Sequence, residues 1–452
     1  MLFELAEKAQ KEVSKYCDDY EIYIDKLDLL QLDTQKSDLN FAKEENTLGL
    51  GIRVIKDGKI GFAFTSDMDK IDKTAKTAFE NSKLNEKDEN FAFALEEKLP
   101  KIDGCFDKKF RDLELEEITS SMKDFLAIVE DEGCQATSGG FSAAEGETLI
   151  INSNGVSAYD KSTGFGLGIS VNAEANGEIS TAYDSVSSCL FDLDSDKLAL
   201  DVCKLAKNSL NGENIETADM DVIFDYHAAV GLLSTFLSGF SADSVQRGRS
   251  ILADKIGQEI VSQNLSIYDD GTYKGGLNSG VSDGEGTASK RTTLVENGVL
   301  KNFLYDIYTA NKANSLNNTP VDANNCDIDI DVIKSTANGF RSSYSGTPSV
   351  SSSNIIFDFK EKSQITDIKN GFIATDVLGA HTANPFSGDF SVEVNNGFKI
   401  INGEIGKGVK KAMISGNIYE ILSDCEAIGE IKQRGSFIIP KLLVHNLRVI
   451  GN

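Results

Sequence analysis

Apolar residues recur at three- and four-residue spacing through Leu2, Leu5, Ala6, Ala9, Val13 and Tyr16, which predicts an amphipathic helix over about 2–17. Alternation then takes over. Glu21-Ile22-Tyr23-Ile24-Asp25 reads as a strand, and 48–64 as a hairpin turning at Asp57-Gly58, where both central residues take positive φ. Helical spacing returns over 67–84, with Asp67 placed to cap the run Met68, Ile71, Ala75 and Ala78. Further helices are expected over about 114–131 and 194–210. A last strong helix, about 226–240, carries Val230, Leu232, Leu233, Phe236, Leu237 and Phe240 and follows a buried-looking strand, Val222-Ile223-Phe224.

From about 134 onward the chain turns rich in Gly, Ser, Thr and Asn. Asn-Gly pairs begin at 154, 176, 211, 297, 338, 370, 396 and 402; all but the pair at 211 lie between or beside strand-like runs, and that pair ends a helix. The fold class expected is α+β: an N-terminal helix-plus-sheet region, then a large, mostly antiparallel β C-terminal domain. The main boundary falls near 211–220, dividing the chain into 1–212 and 213–452, and 105–113 is the candidate place for a break within the first part. No repeat period stands out, and five prolines are too few for extended linkers.

The 452 residues carry a net charge of −26. Nucleic-acid affinity rests on Lys and Arg neutralising phosphates, so DNA or RNA is disfavoured as a direct ligand, and so is an anionic membrane surface. No apolar run approaches the ~18–20 residues of a membrane span. The first residues lack a basic segment before an apolar core, so a signal peptide is not expected and the compartment expected is the cytoplasm. Seven cysteines, Cys17, Cys105, Cys134, Cys189, Cys203, Cys326 and Cys425, are scattered without a CxxC and read as buried, reduced thiols.

Only three histidines are present, which limits general-base and metal schemes. His227 opens the 226–240 helix, but Ala228, Val230, Gly231 and Leu232 offer no second donor to a metal. His381 lies in Gly379-Ala380-His381-Thr382-Ala383-Asn384-Pro385-Phe386-Ser387-Gly388-Asp389, a loop entering a strand, and loops on rigid sheets often carry binding residues. A Ser387–His381–Asp389 triad can be written from this spacing, but triads are recognised by geometry and not by proximity in sequence. His445 sits in an alternating C-terminal strand and reads as structural. Gly164-Phe165-Gly166-Leu167-Gly168 lies inside strand-like sequence with no helix after it, which fails the dinucleotide-binding context. Asp283-Gly284-Glu285-Gly286-Thr287 reads as a solvated acidic turn, too short in ligands for a calcium loop.

Several ordered blocks together resemble the TldD/PmbA family. They are Leu48-Gly49-Leu50-Gly51-Ile52-Arg53; Asp269-Asp270-Gly271-Thr272; Asp283-Gly284-Glu285-Gly286-Thr287; Leu294 to Leu300 with Leu304-Tyr305-Asp306; Gly339 with Arg341 and Tyr344; Gly388-Asp389-Phe390-Ser391; Asn402-Gly403-Glu404-Ile405-Gly406; Gly416-Asn417; and Leu447-Arg448-Val449. The resemblance implies two branches that assemble together. The TldD branch is a zinc metallopeptidase whose helix carries His-Glu-x-x-x-His, with a cysteine near the C-terminus completing the site. Here His227 matches the first histidine, Ala228 the glutamate and Leu232 the second histidine, and Gln433-Arg434-Gly435-Ser436 stands where the cysteine is expected. A lone imidazole cannot build the usual zinc shell, so the departure is similar to the PmbA (TldE) branch.

What the resemblance implies is a non-catalytic subunit of a TldD/TldE-type metallopeptidase that takes in unstructured polypeptide for cleavage. No catalytic or metal-binding residue is expected in this chain, and zinc is expected in a TldD-like partner. His227, His381, Ser387 and Asp389 are the candidate peptide-binding residues, and a homodimer is the expected form without the partner. The alternatives are a hydrolase in its own right, working through His227 or His381, and a regulatory peptide-binding protein acting indirectly on DNA gyrase.

Overall fold

The structure is a computed structural model, and it describes residues 1–316 and 332–451. The N-terminal part is built on one six-stranded antiparallel sheet. Its strands are β1 (Asp19–Gln35), β2 (Asp38–Lys56), β3 (Lys59–Thr65), β4 (Cys134–Asn152), β5 (Ser157–Ala175) and β6 (Glu178–Ser188), in the order β3-β2-β1-β4-β5-β6. Four helices pack on it: α1 (Leu2–Val13), α2 (Ile71–Leu84), α3 (Leu115–Asp131) and α4 (Ser195–Asn208). Helices α1 and α2 cover Ile22, Ile24, Leu50, Ile52 and Val54, and α3 and α4 cover Leu32, Phe165, Leu167 and Ile169.

Local chemistry explains these elements. Asp67 accepts from the Asp69 N–H in the short 3-10 turn that leads into α2. The turn Asp57-Gly58 has φ of 52° and 73°, matching the twist of a two-residue hairpin. Strands β1 and β2 run further than periodicity suggests, because Lys36 and Ser37 make the same turn at φ of 51° and 62°. Neither residue advertises a turn, and the far half of β2 is polar and exposed, so the pattern carried no strand signal.

The C-terminal part holds a 12-stranded sheet. It is mostly antiparallel, as expected, with parallel pairings at three places. Strand β7 (Ala218–Phe224) runs parallel to Asn370–Leu378; Ile355–Phe359 runs parallel to Phe437–Gly451; and Lys362–Ser363 runs parallel to Cys425–Arg434. Strand β7 also pairs antiparallel with Phe437–Gly451, so five strands of this sheet close a ring. Against it packs α5 (Tyr226–Leu237), which buries Ala228, Leu232, Leu233 and Phe236. No helix among the described residues is long and apolar enough to cross a membrane. The described cysteines, Cys17, Cys105, Cys134, Cys189, Cys203 and Cys425, are free and buried; Cys326 lies outside the described residues.

The two parts join through buried charge. Glu21 in β1 stands directly opposite Arg53 in β2, on the face of the sheet away from α1 and α2. Alternation marks that face as polar, yet Glu21 is 0% exposed. Arg53 donates to both of its carboxylate oxygens, Nε to Oε1 at 2.8 Å and Nη2 to Oε2 at 2.6 Å. Arg341, from the C-terminal part, donates Nη2 to Oε1 of the same carboxylate and lies over the Tyr23 ring at 4.8 Å. The Asp283–Thr287 segment, expected as a solvated turn, is instead threaded into this joint. Glu285 is 2% exposed, its Oε2 accepts from the Ile307 N–H at 2.8 Å, and its Oε1 lies 3.6 Å from Arg53 Nη2. Asp283 holds the turn by accepting from the backbone N–H groups of Glu285, Thr287 and Gly339. Glycine is required for the approach: a Cβ on Gly49 would lie 2.1 Å from the Tyr344 ring, and one on Gly339 would lie 2.7 Å from the Glu285 side chain.

Removing one member of a buried ion pair leaves an uncompensated charge. Arg341→Met and Arg53→Met are each expected to cost about 3–5 kcal/mol in urea unfolding. A loss below about 1 kcal/mol, the range of an exposed pair, would contradict this account of the joint. Glu285 supplies a pH signature. Burial pushes its carboxyl up to about 8, against the pull of Arg53, with Asp283 and Asp306 adding to the rise. The folded state therefore keeps a proton that the unfolded state has lost, and stability declines as pH rises from the ordinary carboxyl value of 4.5 to about 8. Glu285→Gln is expected to flatten that decline, read from denaturation midpoints across the interval; an unchanged slope would refute it.

Candidate functional site

Strand β7 ends at Phe224, and Asp225 starts α5 by accepting from the Tyr226 N–H at 2.7 Å through Oδ1, while its Oδ2 pairs with Lys441 Nζ at 2.6 Å. This seat points His227 out of the core and toward β6 of the N-terminal sheet. His227 Nε2 lies 2.8 Å from Asp184 Oδ1. The Arg434 guanidinium reaches the same oxygen, Nη1 to Oδ1 at 3.4 Å, and donates to the Ser185 carbonyl. Burial pushes the Asp184 carboxyl up, but the His227 hydrogen bond and the Arg434 charge prevail and hold it below the ordinary carboxylate value. Arg434 ends the strand Cys425–Arg434 and is turned into place by Gly435 at φ 59°.

These groups border a cavity of about 720 Å³ between the two parts. One wall is apolar, with Leu205, Ile223, Ile373, Phe398 and Ile428. The opposite rim is charged: Lys432, Arg434 and Lys441 ring the face of Tyr226 at 5.0, 5.7 and 5.4 Å from its centroid.

The donor set does not fit zinc. Ala228 and Leu232, matched to the glutamate and second histidine of the metallopeptidase helix, are 0% and 3% exposed and belong to the main core. Arg434, within the segment matched to the cysteine, is a cation. Among the described residues no group of three His, Cys, Asp or Glu side chains is placed to hold a metal ion.

The other candidate residues lie elsewhere. His381 is exposed on a 3-10 turn between Asn370–Leu378 and Asp389–Ile401, with no hydrogen bond from its ring among the described residues. Ser387 Oγ donates to Asp389 Oδ2 at 2.7 Å, and Asn417 Nδ2 donates to Asp389 Oδ1 at 2.9 Å. In a catalytic triad the serine hydroxyl faces the imidazole; here it is committed to the carboxylate. None of these three lines the cavity. His445 Nδ1 lies 3.0 Å from Asp221 Oδ1, tying the last long strand to β7. Sequence reading missed Asp184, Lys432 and Lys441. Asp184 is a polar position in an alternating strand, and nothing in its spacing points to His227.

Comparison with known proteins follows the same outline. Family models described as the PmbA/TldA metallopeptidase domain 1, central domain and C-terminal domain match residues 20–82, 108–210 and 217–451. An uncharacterized protein of Methanocaldococcus jannaschii is 34% identical over 94% of this chain and 92% of its own length. The metalloprotease PmbA of Escherichia coli O157:H7 is 23% identical over 100% of this chain and 96% of its own. The crystal structure of TldE from Thermococcus kodakarensis superposes with a TM-score of 0.89 at 22% identity, covering 99% of this chain and 100% of that one, which shows the shared fold.

Asp184 is the keystone of this arrangement, and a double-mutant cycle reads its worth. Asp184→Asn is expected to destabilise by about 1–3 kcal/mol, because Arg434 is left without its counter-charge. The same change on an Arg434→Met background is expected to cost less, with a coupling of about 0.5–3 kcal/mol. Strict additivity in denaturant unfolding would show that the two side chains do not act together.

Proposed function

The chain belongs to the PmbA/TldD metallopeptidase family, on its PmbA/TldE branch, and we propose that it serves as the non-catalytic subunit of a two-component peptidase. The observation that carries the reading is the helix α5. It offers one imidazole, turns Ala228 and Leu232 into the core, and has the cation of Arg434 over its Tyr226 ring instead of a third ligand. A single donor cannot grip zinc or lower the pKa of a bound water, so hydrolysis belongs to a TldD-like partner that carries the complete ligand set.

The role left to this chain is handling of polypeptide. Strand β6 is the last strand of its sheet, its residues Tyr183 and Asp184 border the cavity, and its Thr181 and Ser185 carbonyls accept from Asn396 and Arg434. An extended, unfolded segment laid along the unoccupied part of a sheet edge gains main-chain hydrogen bonds with little demand on sequence. In this arrangement His227 belongs to the peptide-handling surface, and the His381, Ser387 and Asp389 loop supplies a second contact outside the cavity. Unfolded chains are the substrates this geometry suits, since a segment must be extended and unpaired to be added as a strand.

The test is reconstitution. The purified chain alone is expected to leave an unfolded, fluorescently quenched protein substrate intact and to retain no stoichiometric transition metal. Mixed with a TldD-like subunit it is expected to support cleavage that a chelator abolishes. Chelator-sensitive cleavage by the chain alone would overturn the reading.

A further inference from the structure

We propose that the cavity beside His227 captures the carboxylate end of a polypeptide whose last side chain is apolar. The proposal rests on the peptide-handling role above and names the part of the chain that is recognised. Charge is the first argument. In a protein of net charge −26, three cationic side chains converge on one tyrosine ring. Asp184 pairs with Arg434 and Asp225 with Lys441, which leaves Lys432, exposed at the rim, without a carboxylate partner among the described residues.

The second argument is the opposite wall. Ile223, Ile373, Phe398 and Ile428 form an apolar surface that an inorganic anion has no use for, and Ile405, 61% exposed, extends it toward the mouth. A cavity of about 720 Å³ falls within the range that encloses a small organic ligand, which is also the size of the last few residues of a peptide. The ligand chemistry that satisfies both sides is an anion joined to an apolar group. Lys432 then meets the terminal carboxylate, and the Ile and Phe wall takes the side chain.

The experiment uses the intact chain and a fluorescein-labelled hexapeptide ending in Leu-Phe, made once as the free acid and once as the C-terminal amide. Anisotropy titration is expected to show the acid binding at least about tenfold more tightly than the amide, the value of one charge-assisted contact. Lys432→Ala, at an exposed position, is expected to weaken the acid about three- to tenfold and leave the amide unchanged. Ile405→Ser is expected to weaken both. Equal affinity for acid and amide, or no binding of either, overturns the proposal, as does inorganic phosphate competing as well as the acid peptide. These outcomes are separable from the subunit reading: equal binding of acid and amide leaves partner-dependent cleavage standing, and cleavage by the chain alone leaves the carboxylate preference standing.

Discussion

One carboxylate with no access to water organises this molecule. Glu21 lies on a strand whose other face is already committed to the helices, so it can be buried only if something covers the polar face of the sheet. Two guanidiniums, one from the facing strand and one from the C-terminal part, satisfy it. A buried ion pair is tolerable when its geometry is good and its remaining donors and acceptors find partners. That requirement couples the halves, because Glu21 and Arg53 are complete only when Arg341 and the Glu285 turn are docked. The glycines at 49, 51, 284 and 339 make the close approach possible, since a Cβ at each would meet the opposing side chains or backbone. Blocks far apart in the chain thus serve one joint.

Docking the halves in this way brings the edge strand β6 alongside the start of α5. The Asp184–His227–Arg434 contact exists only because of it. The site sets a helix-borne imidazole facing a late hairpin, and the positive charge in it is a guanidinium. A fixed cation on the chain offsets the charge of Asp184, the carboxylate that His227 also contacts. The surrounding cavity joins an apolar wall to a charged rim in which lysines and an arginine stand among aspartates.

Much of this could be read from the chain directly, where local geometry leaves little choice. Asn176-Gly177, Asn297-Gly298 and Asn402-Gly403 each place both residues at positive φ in two-residue hairpins, as their chemistry demands. Asn338-Gly339, Asn370-Gly371 and Asn396-Gly397 do not; they open or interrupt strands, because tertiary contacts decided their conformations. The helices followed their apolar periods to within a few residues. The loss of donors at 228 and 232 was visible as well, since a missing side chain needs no structure to be noticed.

What the sequence determined by itself was therefore the inventory and the local grammar: helices and hairpins, an acidic chain, one lone imidazole on the helix that could have carried two. What the tertiary structure decided was which polar residues are buried and with whom. Glu21, Glu285 and Asp184 sit in alternating or turn-like segments that read as solvent-facing, and only the packing of the two parts takes the two glutamates out of water and half-buries Asp184. Alternation reports that a strand has two chemically different faces; it cannot report that a distant part of the same chain will cover the polar one, because the energy of a buried charge is set by partners hundreds of residues away.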